Sequence, residues 1–162
     1  MTIISDTTPI ISLIKINRLD LLEKLFEEVL IPEAVYRELT TNTLFENEAK
    51  IVKTSSFLKT SSVQNRKSLQ LLQAVSGLDD GESEAIILAD ELKSDVLIMD
   101  ERKGRKVAEK LGIKITGTVG VLLQSYSENM ISSDEIKTYL DQLKNSNIRL
   151  SESLIQKALE ML

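Results

Sequence analysis

The chain has 162 residues, 42% of them apolar, which is enough for one compact domain and short for two. Twenty Lys and Arg face 25 Asp and Glu, a net charge of −5, so any nucleic-acid site has to be a local basic patch. The absence of Cys and His excludes disulfide scaffolds, thiolate or imidazole metal sites, Cys nucleophiles and histidine-based triads, and leaves oxygen ligands suited to Mg²⁺ or Mn²⁺.

Residues 2–5 are short, β-branched and apolar, and read as a buried strand ending at Asp6. Thr8 and Pro9 read as the N-cap and first position of a largely buried helix carrying Ile10, Ile11, Leu13 and Ile14. A second helix is expected over residues 18–26 and a second strand over 29–31, with Pro32 opening a helix to about Leu39. Residues 41–50 are compatible with a helix; residues 51–63, rich in Ser, Thr and Lys, suit an edge strand or a loop. A helix over 66–75 is broken by Gly77, and Asp79 or Asp80 caps the next, to about Leu92. The apolar run 96–99 suits a fully buried parallel strand, ending at Asp100.

Residues 101–111 form a basic helix stopped by Gly112, followed by a strand over 114–116. Helices over 119–129 and 133–143 come next, the second opened by a Ser with Glu135 two residues on. A final helix, 151–162, follows the polar break Asn145-Ser146-Asn147. Strands alternating with helices imply an α/β three-layer sandwich, with a central, mainly parallel sheet flanked by helices. No run has signal-peptide or membrane-span character, so a cytoplasmic protein with no membrane partner is expected.

Four acids sit oddly in this pattern. Asp6 and Asp100 each end an apolar strand, where open α/β sheets bind their ligands; each also suits a plain N-cap. Glu38 shares a helix face with the apolar Ala34 and Val35, so it needs a partner, a metal or water at the helix end. Glu82 shares a face with Ala85, Ile86 and Ala89, and also stands at capping-box spacing from Asp79. Glu84, about 200° around the helix from Glu82, ranks below it. Carboxylates gathered at one sheet edge stay ionised together only with a cation. Such a cluster suits one or two Mg²⁺ or Mn²⁺ ions acting on a phosphodiester. Arg102, Lys103, Arg105 and Lys106 are candidates for the phosphates of an RNA strand, against the plainer reading of a solvated helix face. Thr7, Thr8, Thr116 and Thr118 stand near the same edge.

Four motifs in order carry a resemblance: Ile4-Ser5-Asp6-Thr7-Thr8-Pro9-Ile10-Ile11; Ile31-Pro32-Glu33-Ala34-Val35-Tyr36-Arg37-Glu38-Leu39; Leu78-Asp79-Asp80-Gly81-Glu82-Ser83-Glu84-Ala85-Ile86; and Val96-Leu97-Ile98-Met99-Asp100-Glu101-Arg102 continuing through Gly117-Thr118-Val119-Gly120-Val121-Leu122-Leu123. With these the chain resembles the PIN-domain family, in particular its compact VapC-like toxin branch. The resemblance spans about residues 2–130, with residues 131–162 as a C-terminal helical extension packed on the same domain. It implies a Mg²⁺- or Mn²⁺-dependent endoribonuclease, with the family's catalytic and metal-binding acids falling on Asp6, Glu38, Glu82 and Asp100. The third acid is commonly Asp in that family; here it is Glu82, with Glu84 as a rival. A homodimer and a small antitoxin partner are also implied.

Two other readings compete. A PIN-like module that binds RNA or protein without turnover fits the negative charge. A phosphoaspartyl enzyme also uses an Asp at a strand end, but the residue two after Asp6 is Thr8, and Lys114 begins its strand instead of ending it.

Overall fold

The computed structural model describes residues 1–146 and 148–162. The polar break before the last helix is therefore described at Asn145 and Ser146, while Asn147 lies outside the described residues.

Strands β1 (Ile3–Ser5), β2 (Val29–Pro32), β3 (Leu58–Ser61), β4 (Val96–Ile98) and β5 (Ile115–Thr116) form one sheet in the order β3-β2-β1-β4-β5. Every pairing is parallel, with Ile4 opposite both Leu30 and Leu97, and Ser5 opposite Ile98. The Asp6 amide continues the ladder to the Ile98 carbonyl at 2.9 Å. The chain runs outward from β1 through β2 to β3, then returns to β1's other side for β4 and β5. β1 and β4 therefore flank a topological switch point, whose crevice lies at their carboxyl ends.

Side chains alternate across a strand, and β1 is buried on both faces. Ile3, Val29, Ile31 and Ile98 pack on one side, with α1 (Thr7–Lys15), α2 (Asp20–Phe26), α8 (Thr118–Ser127) and α9 (Ser133–Asn145). Ile4, Leu97 and Met99 pack on the other, with α5 (Arg66–Ser76), α6 (Asp80–Leu92) and α7 (Arg102–Lys110). These are the three layers. Helix α3 (Glu33–Thr41) buries Val35 and Leu39 in the first cluster.

Several boundaries differ from expectation. The first helix starts at Thr7, with Asp6 rather than Thr8 in the N-cap position. Residues 51–54 belong to α4 (Glu46–Thr54), because Ala49 and Val52 are buried where α4 meets the core, a tertiary contact that local composition does not reveal. Only β3 occupies the remainder of the Ser- and Thr-rich stretch, as the sheet edge. Ser132, not Ser133, caps α9, in a reciprocal capping box with Glu135. Ile136, Leu140 and Leu143 of α9, and Ala158 of α10 (Glu152–Glu160), join the first cluster. α10 is seated by Ala158, while its Leu154 and Leu159 stay 42% and 36% exposed.

Candidate active site

Local backbone chemistry delivers the acids to the crevice. Asp6 follows the last residue of β1 and is only 4% exposed. Glu38, in the last turn and a half of α3, accepts a hydrogen bond from Thr7 Oγ1 at 2.8 Å. Its surroundings correct the core-facing expectation: Glu38 is exposed, and the apolar stripe it shares ends at the crevice mouth. Gly81 lies between these acids. A Cβ there would stand 3.3 Å from Glu38 Oε2 and 3.6 Å from Asp6 Oδ1.

Glu82 is half-buried at the start of α6. Its amide donates to Asp79 Oδ1 at 2.8 Å, and its Oε2 accepts from the Asp79 amide at 3.1 Å. This capping box ties down both carboxylates. Glu84 is buried, accepts from the Ala34 amide at 3.2 Å at the start of α3, and lies 3.9 Å from Arg37. It joins α6 to α3.

Asp100 follows β4 and Met99 on the other side of the switch point. Thr118 holds both its oxygens, the amide donating to Oδ1 at 2.7 Å and Oγ1 donating to Oδ2 at 2.6 Å. Gly117 is required by space alone, since its φ of −126° suits any residue: a Cβ would fall 2.5 Å from Asp100 Oδ1. Thr7 and Thr118 thus each position an acid.

The electrostatics are one-sided. Burial pushes the Asp6 carboxyl up to about 7; the nearby Thr7 amide opposes this, and Glu82, Asp79 and Glu38 add to it. Glu82 is also raised, chiefly by burial, against its bond from the Asp79 amide and with Asp79, Glu101 and Glu38 as like charges. Among the described residues, no Lys or Arg forms an ion pair with Asp6, Glu38, Glu82 or Asp100. Sequence spacing marks Asp79 only as a cap and Glu101 only as part of a basic helix, yet both contribute to this field. Asp79 accepts from the Glu82 amide and Glu101 from the Gly104 amide at 2.7 Å.

A family profile described as PIN domain matches residues 2–162. The chain belongs to the PIN-domain family. Comparison with curated proteins gives no match. The PIN-domain profile extends beyond the span of about 2–130 on which the motifs rest, through α9 and α10. Members of this family have a nuclease-type fold, which sets aside the phosphoaspartyl reading. No helix of this PIN domain among the described residues is long and apolar enough to cross a membrane.

The donors are all carboxylate or hydroxyl oxygens, which suit Mg²⁺ or Mn²⁺, and the raised Asp6 carboxyl lacks a compensating cation. Among the described residues, however, no group of three or more acids is gathered closely enough to hold an ion. The donor chemistry fits; the side chains are not drawn in.

The basic helix divides into distinct environments. Arg105 is half-buried and donates to the Met99 carbonyl at 2.8 Å, which fixes it beside Asp100. Lys103 leans toward the α5–α6 turn, its Nζ 3.2 Å from where a Gly77 Cβ would be. Arg102 is exposed next to Asp100 and Glu101. Lys106 is exposed with no ion-pair partner among the described residues, as the solvated-face reading expects.

Proposed function

We propose that this PIN domain is a Mg²⁺- or Mn²⁺-dependent endoribonuclease and the toxin of a toxin–antitoxin pair. The observation that carries the reading is the crevice of uncompensated acids at the switch point, with Asp6 raised to about 7 by burial and by Glu82, Asp79 and Glu38. Asp6, Glu38, Glu82 and Asp100 are the proposed ligands. A divalent cation bound there would supply Lewis-acid stabilisation of the charge that develops on a phosphodiester. The remaining work falls to the chain. Thr118 orients Asp100, and Thr7 orients Glu38. The Asp6 carboxyl, which burial and its acidic neighbours hold up near 7 without a cation, would be kept ionised as a ligand. Arg105, fixed on the Met99 carbonyl, offers its guanidinium to a substrate phosphate. The toxin reading further includes a homodimer, a small antitoxin as protein partner, and a cytoplasmic location.

The test is cleavage of end-labelled RNA, including structured tRNA, with Mn²⁺ or Mg²⁺. Asp6→Asn, Glu82→Gln and Asp100→Asn are each expected to lower cleavage about 100-fold or more. The reading fails if wild-type protein cuts no RNA with either metal and the three variants leave growth toxicity unchanged.

A second reading, a PIN-like module that binds RNA or protein without turnover, is favoured by one specific observation: the acids are not gathered into a ready group of three. It expects RNA or partner binding that EDTA does not alter.

A further inference from the structure

Two clefts share Asp100 with the acidic crevice. One, of about 440 Å³, opens between Asp100, Arg105 and Ile115 on the domain side and Ser151, Leu154 and Lys157 on the other. The second, of about 640 Å³, runs between Thr8, Asp100 and Arg102 and the chain at Ile148, Arg149 and Leu150. Both volumes fall in the range of ~300–1,000 Å³ typical of small-ligand sites. One stretch, residues 148–157, forms the outer wall of both clefts.

The charges along these clefts are specific. Arg105 and Lys157 line the first, Arg102 and Arg149 the second. Arg149 and Lys157 are exposed, and neither forms an ion pair among the described residues. Four cations and two acids, Asp100 and Glu101, line the two adjoining clefts, a net positive lining on a chain with a net charge of −5; the excess lies in the first cleft, while in the second Arg102 and Arg149 stand with Asp100 and Glu101. Apolar side chains stand between the charges, Val119 and Leu123 in one cleft and Ile148 and Leu150 in the other, among polar ones such as Thr116, Ser151 and Thr8. An apolar wall with a cation beside it suits a nucleotide, the base lying on the wall and the phosphate meeting the cation. A base enters such a cleft only when it is unpaired, which selects a single strand over a duplex.

We propose that residues 148–157 form the outer wall of a path for single-stranded RNA past Asp100, with Arg149 and Lys157 contacting its phosphates on either side of that acid. This rests on the ribonuclease reading above.

The test is steady-state cleavage of an end-labelled single-stranded RNA with Mn²⁺, repeated over a series of KCl concentrations and with a duplex of the same sequence. Wild type is compared with the double variant Arg149→Ala/Lys157→Ala and the charge-keeping double variant Arg149→Lys/Lys157→Arg. Loss of the two charges is expected to raise KM about tenfold, and to flatten the slope of log kcat/KM against log salt by ~1.4, at ~0.7 per phosphate contact on a single strand. The turnover number stays near wild type, and the charge-keeping variant restores KM. The inference is overturned if the alanine variant keeps the wild-type KM and salt slope, if the charge-keeping variant is as impaired as the alanine one, or if duplex is cut as well as single strand. Wild-type cleavage with an unaffected alanine variant removes this inference and leaves the ribonuclease reading standing. Failure of the wild type to cleave any RNA removes both, and points this face toward a protein partner.

Discussion

Asp6 shows how one buried carboxylate sets a pH dependence. Its carboxyl is held up near 7 against an ordinary value of 3.8, because burial and three neighbouring acids disfavour the charge. Between those two values the folded chain binds more protons than the unfolded one, so stability falls as pH rises. The contribution is fully present below the ordinary value and is lost as pH passes through about 7, with an upper bound of ~4 kcal/mol. Thermal melting in EDTA is therefore expected to give a lower Tm at about pH 8 than at about pH 5, and Asp6→Asn to shrink that difference, leaving the part that comes from Glu82, which is also raised. Equal wild-type Tm values at the two pH values would contradict an uncompensated Asp6. Thr118 gives a second prediction at this scale. It is buried, and Val matches its shape while removing the donor to Asp100 Oδ2. Thr118→Val is expected to weaken Mn²⁺ binding, read by titration calorimetry, about 10–100-fold while the fold persists, since the amide bond to Oδ1 remains.

At the scale of elements, the site is assembled by helix starts. Asp79→Ala removes the cap of α6 and frees Glu82 from its reciprocal bond. The expected cost is about 1 kcal/mol, seen as a Tm lower by ~2–4 °C. Gly117→Ala tests the start of α8 differently. Its Cβ would press on Asp100 Oδ1 and stand 3.1 Å from Arg105 Nη1, so it should displace the acid and lower Mn²⁺ affinity without conformational strain in the backbone. Unchanged affinity would mean that Asp100 does not need its present position.

Elements of this kind were legible in the sequence to different degrees. β1 and β4 read directly as apolar runs ending in Asp, because a strand buried on both faces has no polar residue to blur it. Glu82's dual character followed from its spacing to Asp79. The exposure of Glu38 and the tie of Glu84 to α3 did not, because helical periodicity assigns a face but not what stands opposite it: for Glu84 the start of α3, for Glu38 the open crevice. The clefts beside Asp100 were also hidden, since their outer wall comes from residues 148–157, nearly fifty positions further along the chain.

For the whole molecule, the uncompensated acids impose a cost on the fold that a bound cation would offset. A ligand that binds only the native state stabilises it by about 2.7 kcal/mol at 100 times its Kd. Mn²⁺ is accordingly expected to raise Tm most at about pH 8, where Asp6 is ionised, and less at about pH 5. A Tm indifferent to Mn²⁺ and Mg²⁺ at the higher pH would count against a metal in the crevice.

The position of β1 has a consequence for how the protein comes into being. The first of the five strands in chain order is the middle of the finished sheet, and it is flanked by β2 and by β4, whose residues are synthesised more than ninety positions later. Until residues 96–98 emerge, the nascent chain carries β1 with one open edge, and Asp6 lacks Asp100 across the switch point. The acids of the proposed nuclease site are therefore brought together only after Asp100 has been synthesised.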